Sequence, residues 1–226
     1  MNYTDFSNHY DEIYKSNLQR SIWPWSDLVS KVMYIRSRLP EKMTVLELGC
    51  GQGANINFFQ ALGADYHSVE ASPHTVNQLR ELYPQYANNL QVGNFIEADY
   101  GSVKFDLIVD RASLTCNRTE DIQRCLKGLE KNMADECFFV GIDWYSTKHD
   151  EYSRGKSPKE DPFFRQFELE TAFFHPPQMH FSDEKHLREI FKDFEILHLE
   201  EKTTVHVDTF KQLPRTISSW NLVAQR

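Results

Sequence analysis

The chain has 226 residues, 40% of them hydrophobic and 26% charged, and a formal charge of −8. That size and composition give a full core in one domain and exclude a disordered protein, while the acidic balance argues against a surface built to track nucleic-acid phosphates. No apolar run approaches the ~18 residues of a membrane span, the N-terminus lacks a secretory signal pattern, and Cys50, Cys116, Cys125 and Cys137 form no CxxC pair, so a reduced, cytoplasmic setting is expected.

The predicted elements alternate. Residues 5–17 and 25–38 read as helices of an N-terminal cap over 1–40, the second with Leu28, Val32, Ile35 and Leu39 at helical spacing. The apolar run 43–49 is a buried strand ending in glycine, 54–62 a helix stopped by Gly63, and 65–72 a second strand. Pro73 opens a helix to about Tyr83, strands follow at 90–95 and 105–110, and a helix at 119–131 carries its own N-cap candidate and acids in its first turn. A strand at 136–144 precedes a stretch from Tyr145 to His180 rich in proline and phenylalanine. Segments of that length without regular structure are usually functional, so 145–181 is expected to be a lid over a substrate. A helix at 182–191 and strands at 194–201 and 217–225 complete residues 182–226. The last two strands have no helix between them and are expected to pair antiparallel. The pattern predicts an α/β fold, a doubly wound sheet of seven strands, mostly parallel, with helices on both faces, in one domain spanning 1–226.

The strongest local constellation is Val45-Leu46-Glu47-Leu48-Gly49-Cys50-Gly51-Gln52-Gly53. Three alternate glycines between strand and helix let the backbone turn tightly and approach a ligand at a helix N-terminus. Gly49-x-Gly51-x-x-Ala54 also fits a dinucleotide fingerprint, so the glycines alone do not choose the ligand. Glu47 bears on that choice. A carboxylate beside the loop repels a pyrophosphate and attracts an ammonium or sulfonium, unless it serves to bond the loop itself. Glu70, ending the second strand in register with the loop, suits two vicinal ribose hydroxyls.

With these residues in place, the sequence resembles the class I S-adenosylmethionine-dependent methyltransferases over most of 43–142. The hairpin ending at 217–225 is similar to that family's terminal strand pair. The resemblance implies a Rossmann-like sheet, a cofactor-binding core over 41–144, and S-adenosyl-L-methionine as cofactor. VLELGCGQG looks like the family's cofactor loop, Glu70 like its ribose acid and FDLIVD like its fourth strand. The implied cofactor contacts are Glu47, Gly49, Gly51, Gly53, Glu70, Asn94, Phe95 and Asp110. Asn94 stands where the family commonly has an acid that meets adenine, and Asp99 is the second candidate for that contact. Asp110 is similar to positions that meet the methionine end.

Ligands of open α/β sheets sit outside the carboxyl ends of the strands, which puts Asp110-Arg111-Ala112-Ser113 and Asp143-Trp144-Tyr145 near the transferred methyl. Arg20 through Trp25 is expected to close the other side. Arg20 and Trp25 join the cofactor contacts there, with Trp25 as an aromatic wall for the sulfonium; the alternative for the two tryptophans is to staple the N-terminal helix to the sheet. His149, His175 and His180 in the lid are candidate bases for a hydroxyl acceptor. His67, His74, His186, His198 and His206 read as structural or exposed. No Asp/Asn-Pro-Pro-aromatic motif follows strand four, no cysteine follows a proline, and no third ligand joins Asp110 and Asp143 for a metal. The sequence reading is therefore methyl transfer, by O-methylation, to a small polar metabolite or sugar, similar to bacterial small-molecule and sugar-pathway enzymes, without nucleic-acid or membrane partners. The alternatives are a nucleoside-binding module without catalysis and an NAD-dependent oxidoreductase.

Overall fold

The computed structural model describes residues 3–16, 21–167, 178–207 and 215–226, so Arg20 and His175 lie outside the described residues. In chain order the elements are α1 (Tyr3–Lys15), α2 (Ser26–Ile35), β1 (Thr44–Leu48), α3 (Ile56–Ala61), β2 (Asp65–Glu70), α4 (Pro73–Leu82), β3 (Leu90–Val92) and β4 (Phe105–Arg111). They continue with α5 (Thr119–Leu129), β5 (Met133–Tyr145), β6 (Phe164–Gln166), β7 (Gln178–His180), α6 (Glu184–Ile190), β8 (Glu195–His206) and β9 (Arg215–Gln225).

Seven strands form one sheet in the order β3-β2-β1-β4-β5-β9-β8. The first five are parallel, and β9 lies antiparallel between β5 and β8. This is the expected Rossmann-like sheet with its terminal antiparallel pair. The strands in its middle are apolar on both faces, as a covered parallel sheet requires. Along β4, Leu107 and Val109 face a core built with α2, α3 and α4, while Ile108 faces one built with α5 and α6. Chain order reverses between β1 and β4, which opens a crevice at the carboxyl end of β1.

Three local features differ from the sequence reading. β3 stops at Val92 instead of reaching residue 95, because the Asn94 side-chain oxygen accepts from the Ile96 N–H (3.0 Å) and turns the chain. The N-terminus of α5 is not capped by its own sequence: Asp161 accepts from the Thr119 N–H (2.8 Å) and the Thr119 hydroxyl (3.0 Å). The described part of the lid has its own packing, in which Phe167, Met179 and Phe181 gather with Tyr145 and Tyr152. Its β6–β7 pair is fixed by Arg165, which donates to the carbonyls of Tyr152, Pro162 and Phe164. Among the described residues no helix is long and apolar enough to cross a membrane.

Candidate active site

The glycine loop leaves β1 with positive φ at Gly49, Gly51 and Gly53. Their requirements differ. A Cβ on Gly53 would meet Leu79 and Ile56 at 2.6 and 2.9 Å, and one on Gly49 would strike the Ser113 side chain, so both are demanded by protein packing. Gly51 (φ +51°) is approached on that side only by Tyr14, whose hydroxyl lies 3.1 Å from the position a Cβ would take, a tight contact. Among the described residues Tyr14 is thus the one side chain that meets the Cβ side of Gly51.

Three buried carboxylates stand at the carboxyl ends of β1, β2 and β4. Glu70 accepts from the Gly51 N–H (2.9 Å) and the Ser72 N–H (3.0 Å), one on each oxygen. Burial pushes its carboxyl up, against the pull of the backbone N–H groups of Ser72, Gly51 and Ala71. Glu47 is also pushed up by burial, but both its oxygens are engaged, by Asn55 Nδ2 (2.7 Å) and the Tyr66 hydroxyl (2.6 Å). The expected direct attraction of Glu47 for a cation is thus replaced by a scaffold role. Glu47 pins Asn55, whose Oδ1 accepts from the Trp25 N–H (3.2 Å), and so links the loop to the start of α2. Asp110 is likewise absorbed. Its oxygens accept from the Ser113 and Leu114 N–H groups (3.2 and 2.9 Å) and from Trp144 Nε1 (2.8 Å), and burial pushes it up to about 7. In this structure the Asp110 side chain shapes the turn after β4.

The roof of the site is α1. Ser7 donates to the Ala71 carbonyl (2.6 Å), and Asp11 accepts from the Ser72 hydroxyl (2.6 Å) and the His74 N–H (3.1 Å). These bonds lay α1 beside Glu70 and bring Tyr14 over Gly51, where the Tyr14 carbonyl also accepts from Gln52 Nε2 (3.2 Å). Tyr10 and Tyr14 pack together, ring centroids 5.7 Å apart, and burial raises both hydroxyls well above the ordinary tyrosine range, so they stay neutral. The sequence reading missed this pair. Its signal was two tyrosines four residues apart, hence on one helical face.

At the mouth, the Arg111 guanidinium lies over the Trp25 ring, 3.5 Å from its centroid, and Nε donates to Asp143 Oδ2 (2.9 Å). Trp25 is thereby an aromatic wall, but the cation it holds is Arg111. Trp23 is 75% exposed and staples nothing. Ala112 and Asp143 both sit in the left-handed region at φ 58°, strained for residues with a Cβ, at the ends of adjacent strands.

On the other side of Glu70, a cleft of about 150 Å³ is lined by Tyr3, Ala71, Asn94, Phe95, Arg124 and Gln178 among others. Phe95 reaches the loop: its ring edge lies 3.7 Å from where a Gly49 Cβ would sit. Asn94 belongs to this cleft, but its side-chain oxygen is used on Ile96, so acceptance from adenine is not its main task. Asp99 is no substitute, since it lies 76% exposed on the surface beside Lys131. The described lid histidines are engaged in hydrogen bonds of their own. His149 accepts from the Glu151 N–H through Nδ1 and is pushed down to about 4 by burial. His180 bonds Thr119 (3.1 Å) and His186 (3.0 Å) and is pushed down to about 3 by burial and by His186. Both serve the lid's own packing, and His186 is its partner rather than a surface residue.

The turn at Gly51, the open lone pairs of Glu70 and the neutral tyrosine roof fit a nucleoside with an amino-acid tail. Residues 46–139 match the family described as a methyltransferase domain. No curated protein matches the sequence. Among solved structures, the chain is similar to an S-adenosylmethionine-dependent methyltransferase of Methanosarcina mazei (TM-score 0.66, 17% identity, covering 85% of this chain and 96% of that one). It is similar to TehB of Haemophilus influenzae (0.62, 18%, covering 96% and 67%). It is also similar to the 1,6-didemethyltoxoflavin-N1-methyltransferase of Burkholderia thailandensis, whose structure holds 1,6-didemethyltoxoflavin and S-adenosylhomocysteine (0.60, 15%, covering 99% and 86%). Of the three readings the sequence left open, these findings select methyl transfer: residues 46–139 are a methyltransferase domain on a Rossmann-like sheet, with S-adenosylmethionine as its cofactor.

Proposed function

We propose that the enzyme methylates an oxygen of a small polar acceptor, a metabolite or a sugar. The observation that carries the small acceptor is the roofing of the site: α1 is tied down beside Glu70 and places Tyr14 over Gly51, and the adjoining cleft holds only about 150 Å³. The net charge of −8 speaks in the same direction, against a nucleic-acid acceptor. Four buried, unpaired cysteines accord with a cytoplasmic setting.

When bound, the cofactor supplies a methyl group made electrophilic by its sulfonium. Each Glu70 oxygen keeps a lone pair after its backbone bond, enough to accept from two ribose hydroxyls. Phe95 and Asn94 line the end of the cleft suited to a base, and Gly51 admits the chain of atoms between ribose and sulfur. On the acceptor side Asp143 Oδ2 is held by Arg111, while Oδ1 accepts no hydrogen bond among the described residues. A hydroxyl donating to Oδ1 would be oriented and made more nucleophilic as its proton is drawn off, a contribution of ~10²–10⁴-fold for general-base assistance. Positioning of the acceptor against the methyl supplies more, up to ~7–11 kcal/mol.

The test is transfer of a labelled methyl from S-adenosylmethionine in a metabolite extract, with the product identified by mass spectrometry. A labelled small molecule with an O-methyl group is expected. Label in protein or nucleic acid rejects the small acceptor, and an N-methyl product rejects oxygen.

A further inference from the structure

The geometry points to Arg111 as an anion receptor for the acceptor, so that the substrate is a small molecule bearing a carboxylate or phosphate; this rests on the methyltransferase reading of the same site. Arg111 ends β4 and is one-third exposed at the mouth. Its Nε is used on Asp143 and one face of the guanidinium is covered by the Trp25 ring. Nη1 and Nη2 make no hydrogen bond among the described residues, which leaves the N–H donors of both for a ligand. A guanidinium with a fixed plane and an open fork is complementary to a planar carboxylate or to two phosphate oxygens.

The surroundings explain why such a group sits there. Glu47, Glu70 and Asp110 are buried acids beneath the site, which suits a cationic cofactor. A guanidinium at the mouth does the opposite to the extent that Asp143 and solvent leave its charge uncompensated. An anion on the fork cancels that remaining charge, places opposite charge beside the sulfonium and brings the remainder of the acceptor under Tyr14. The arrangement is held with care. Asp143 adopts its strained conformation while its N–H donates to Asn221 Oδ1 (3.1 Å), and the Ala112 N–H is tied to the Ile142 carbonyl (3.1 Å). Two strained residues flanking one ion pair are retained where the pair has a task. Asp143 Oδ1, beside the fork, then receives a hydroxyl of the same molecule, so a hydroxy acid or hydroxylated phosphate ester has both of its groups matched.

The experiment titrates protein saturated with S-adenosylhomocysteine with benzoate, phenyl phosphate and the neutral control benzamide, following chemical shifts by NMR. In the wild type at least one anion should bind ten-fold or more tighter than benzamide. Arg111→Gln should abolish that preference and leave benzamide unchanged. Arg111→Lys, which keeps charge and stem but not the fork, should fall between, and it carries the comparison if the glutamine variant does not fold. Anions binding no better than benzamide, or equally well to both variants, overturn the proposal. So does a ten-fold loss of S-adenosylhomocysteine affinity in Arg111→Gln that spares 5′-methylthioadenosine, because the fork would then hold the cofactor's own carboxylate. A wild type that binds no S-adenosylhomocysteine instead defeats the methyltransferase reading, a separate result.

Discussion

Glu70→Ala removes one carboxylate that performs two tasks, and the two are measurable apart. In the free protein its oxygens accept from the Gly51 and Ser72 N–H groups at 2.9 and 3.0 Å in a residue only 5% exposed. Stranding a buried donor costs about 1–3 kcal/mol each. Two effects reduce the sum: burial already disfavours the charged carboxylate, and water enters the space it leaves. A net loss of about 2–4 kcal/mol of stability is expected, which for a chain of this length lowers Tm by roughly 2–4 °C per kcal/mol. The second task is the ribose. Losing two charge-assisted bonds to its hydroxyls weakens S-adenosylhomocysteine by a further ~2–4 kcal/mol, about 30- to 1,000-fold in Kd. Thermal unfolding reads the first effect, and calorimetry on protein shown folded by circular dichroism reads the second. Affinity within two-fold of wild type in a folded Glu70→Ala protein would remove Glu70 from the cofactor site and with it the register on which the cleft is assigned.

Gly51→Val should abolish cofactor binding in calorimetry while the domain still folds, since a β-branched side chain at φ +51° costs about 1–2 kcal/mol of strain and crowds the space under Tyr14. Normal binding would make the loop a structural turn only. At the adenine end, Asp99→Ala should change S-adenosylhomocysteine affinity less than two-fold, because Asp99 is paired with Lys131 at the surface. Asn94→Asp should also change it little, as either side chain caps the turn onto Ile96; tightening of several-fold would restore a direct adenine contact for position 94. The pH test concerns His180, whose folded pKa of about 3 lies below its ordinary 6.5. A depressed value means its stabilisation is present above pH 6.5 and is lost as pH falls toward 3, at ~1.4 kcal/mol per pH unit. The stability advantage of wild type over His180→Gln should therefore narrow between pH 7 and pH 5. A constant difference would show that His180 is not held neutral.

The order of elements was legible because it depends on local periodicity. Leu107, Ile108 and Val109 are a covered strand in any context that buries both faces, and Pro73 starts a helix because its ring presets φ and it needs no N–H partner there. The glycine loop was legible for a similar reason: positive φ at Gly49, Gly51 and Gly53 is a short-range steric requirement, and Glu70 follows from strand spacing. Even the scaffold reading of Glu47 was open, although its partners Asn55 and Tyr66 could not be named without the register of β1 on β2.

What tertiary structure decided was every question of which polar group meets which. A histidine in sequence is a base with a pKa near neutrality; burial in the lid pushes His149 and His180 down to about 4 and 3 and favours their neutral forms. Asn94 looked like an adenine acceptor until the turn after β3 claimed its oxygen. Arg111, Asp143 and Trp25 come from two strand ends and the segment before α2, and only the packing of those elements stacks them into one site. Tyr14 reaches Gly51 because Ser7 and Asp11 dock α1 on the start of α4, bonds between residues some 60 positions apart. By itself the sequence determined the sheet, the glycine loop and the nucleoside cofactor, since steric and hydrophobic patterning acts over a few residues. The roof, the mouth and the charge state of each candidate base are long-range results of desolvation and hydrogen-bond competition, and they exist only once the faces have met.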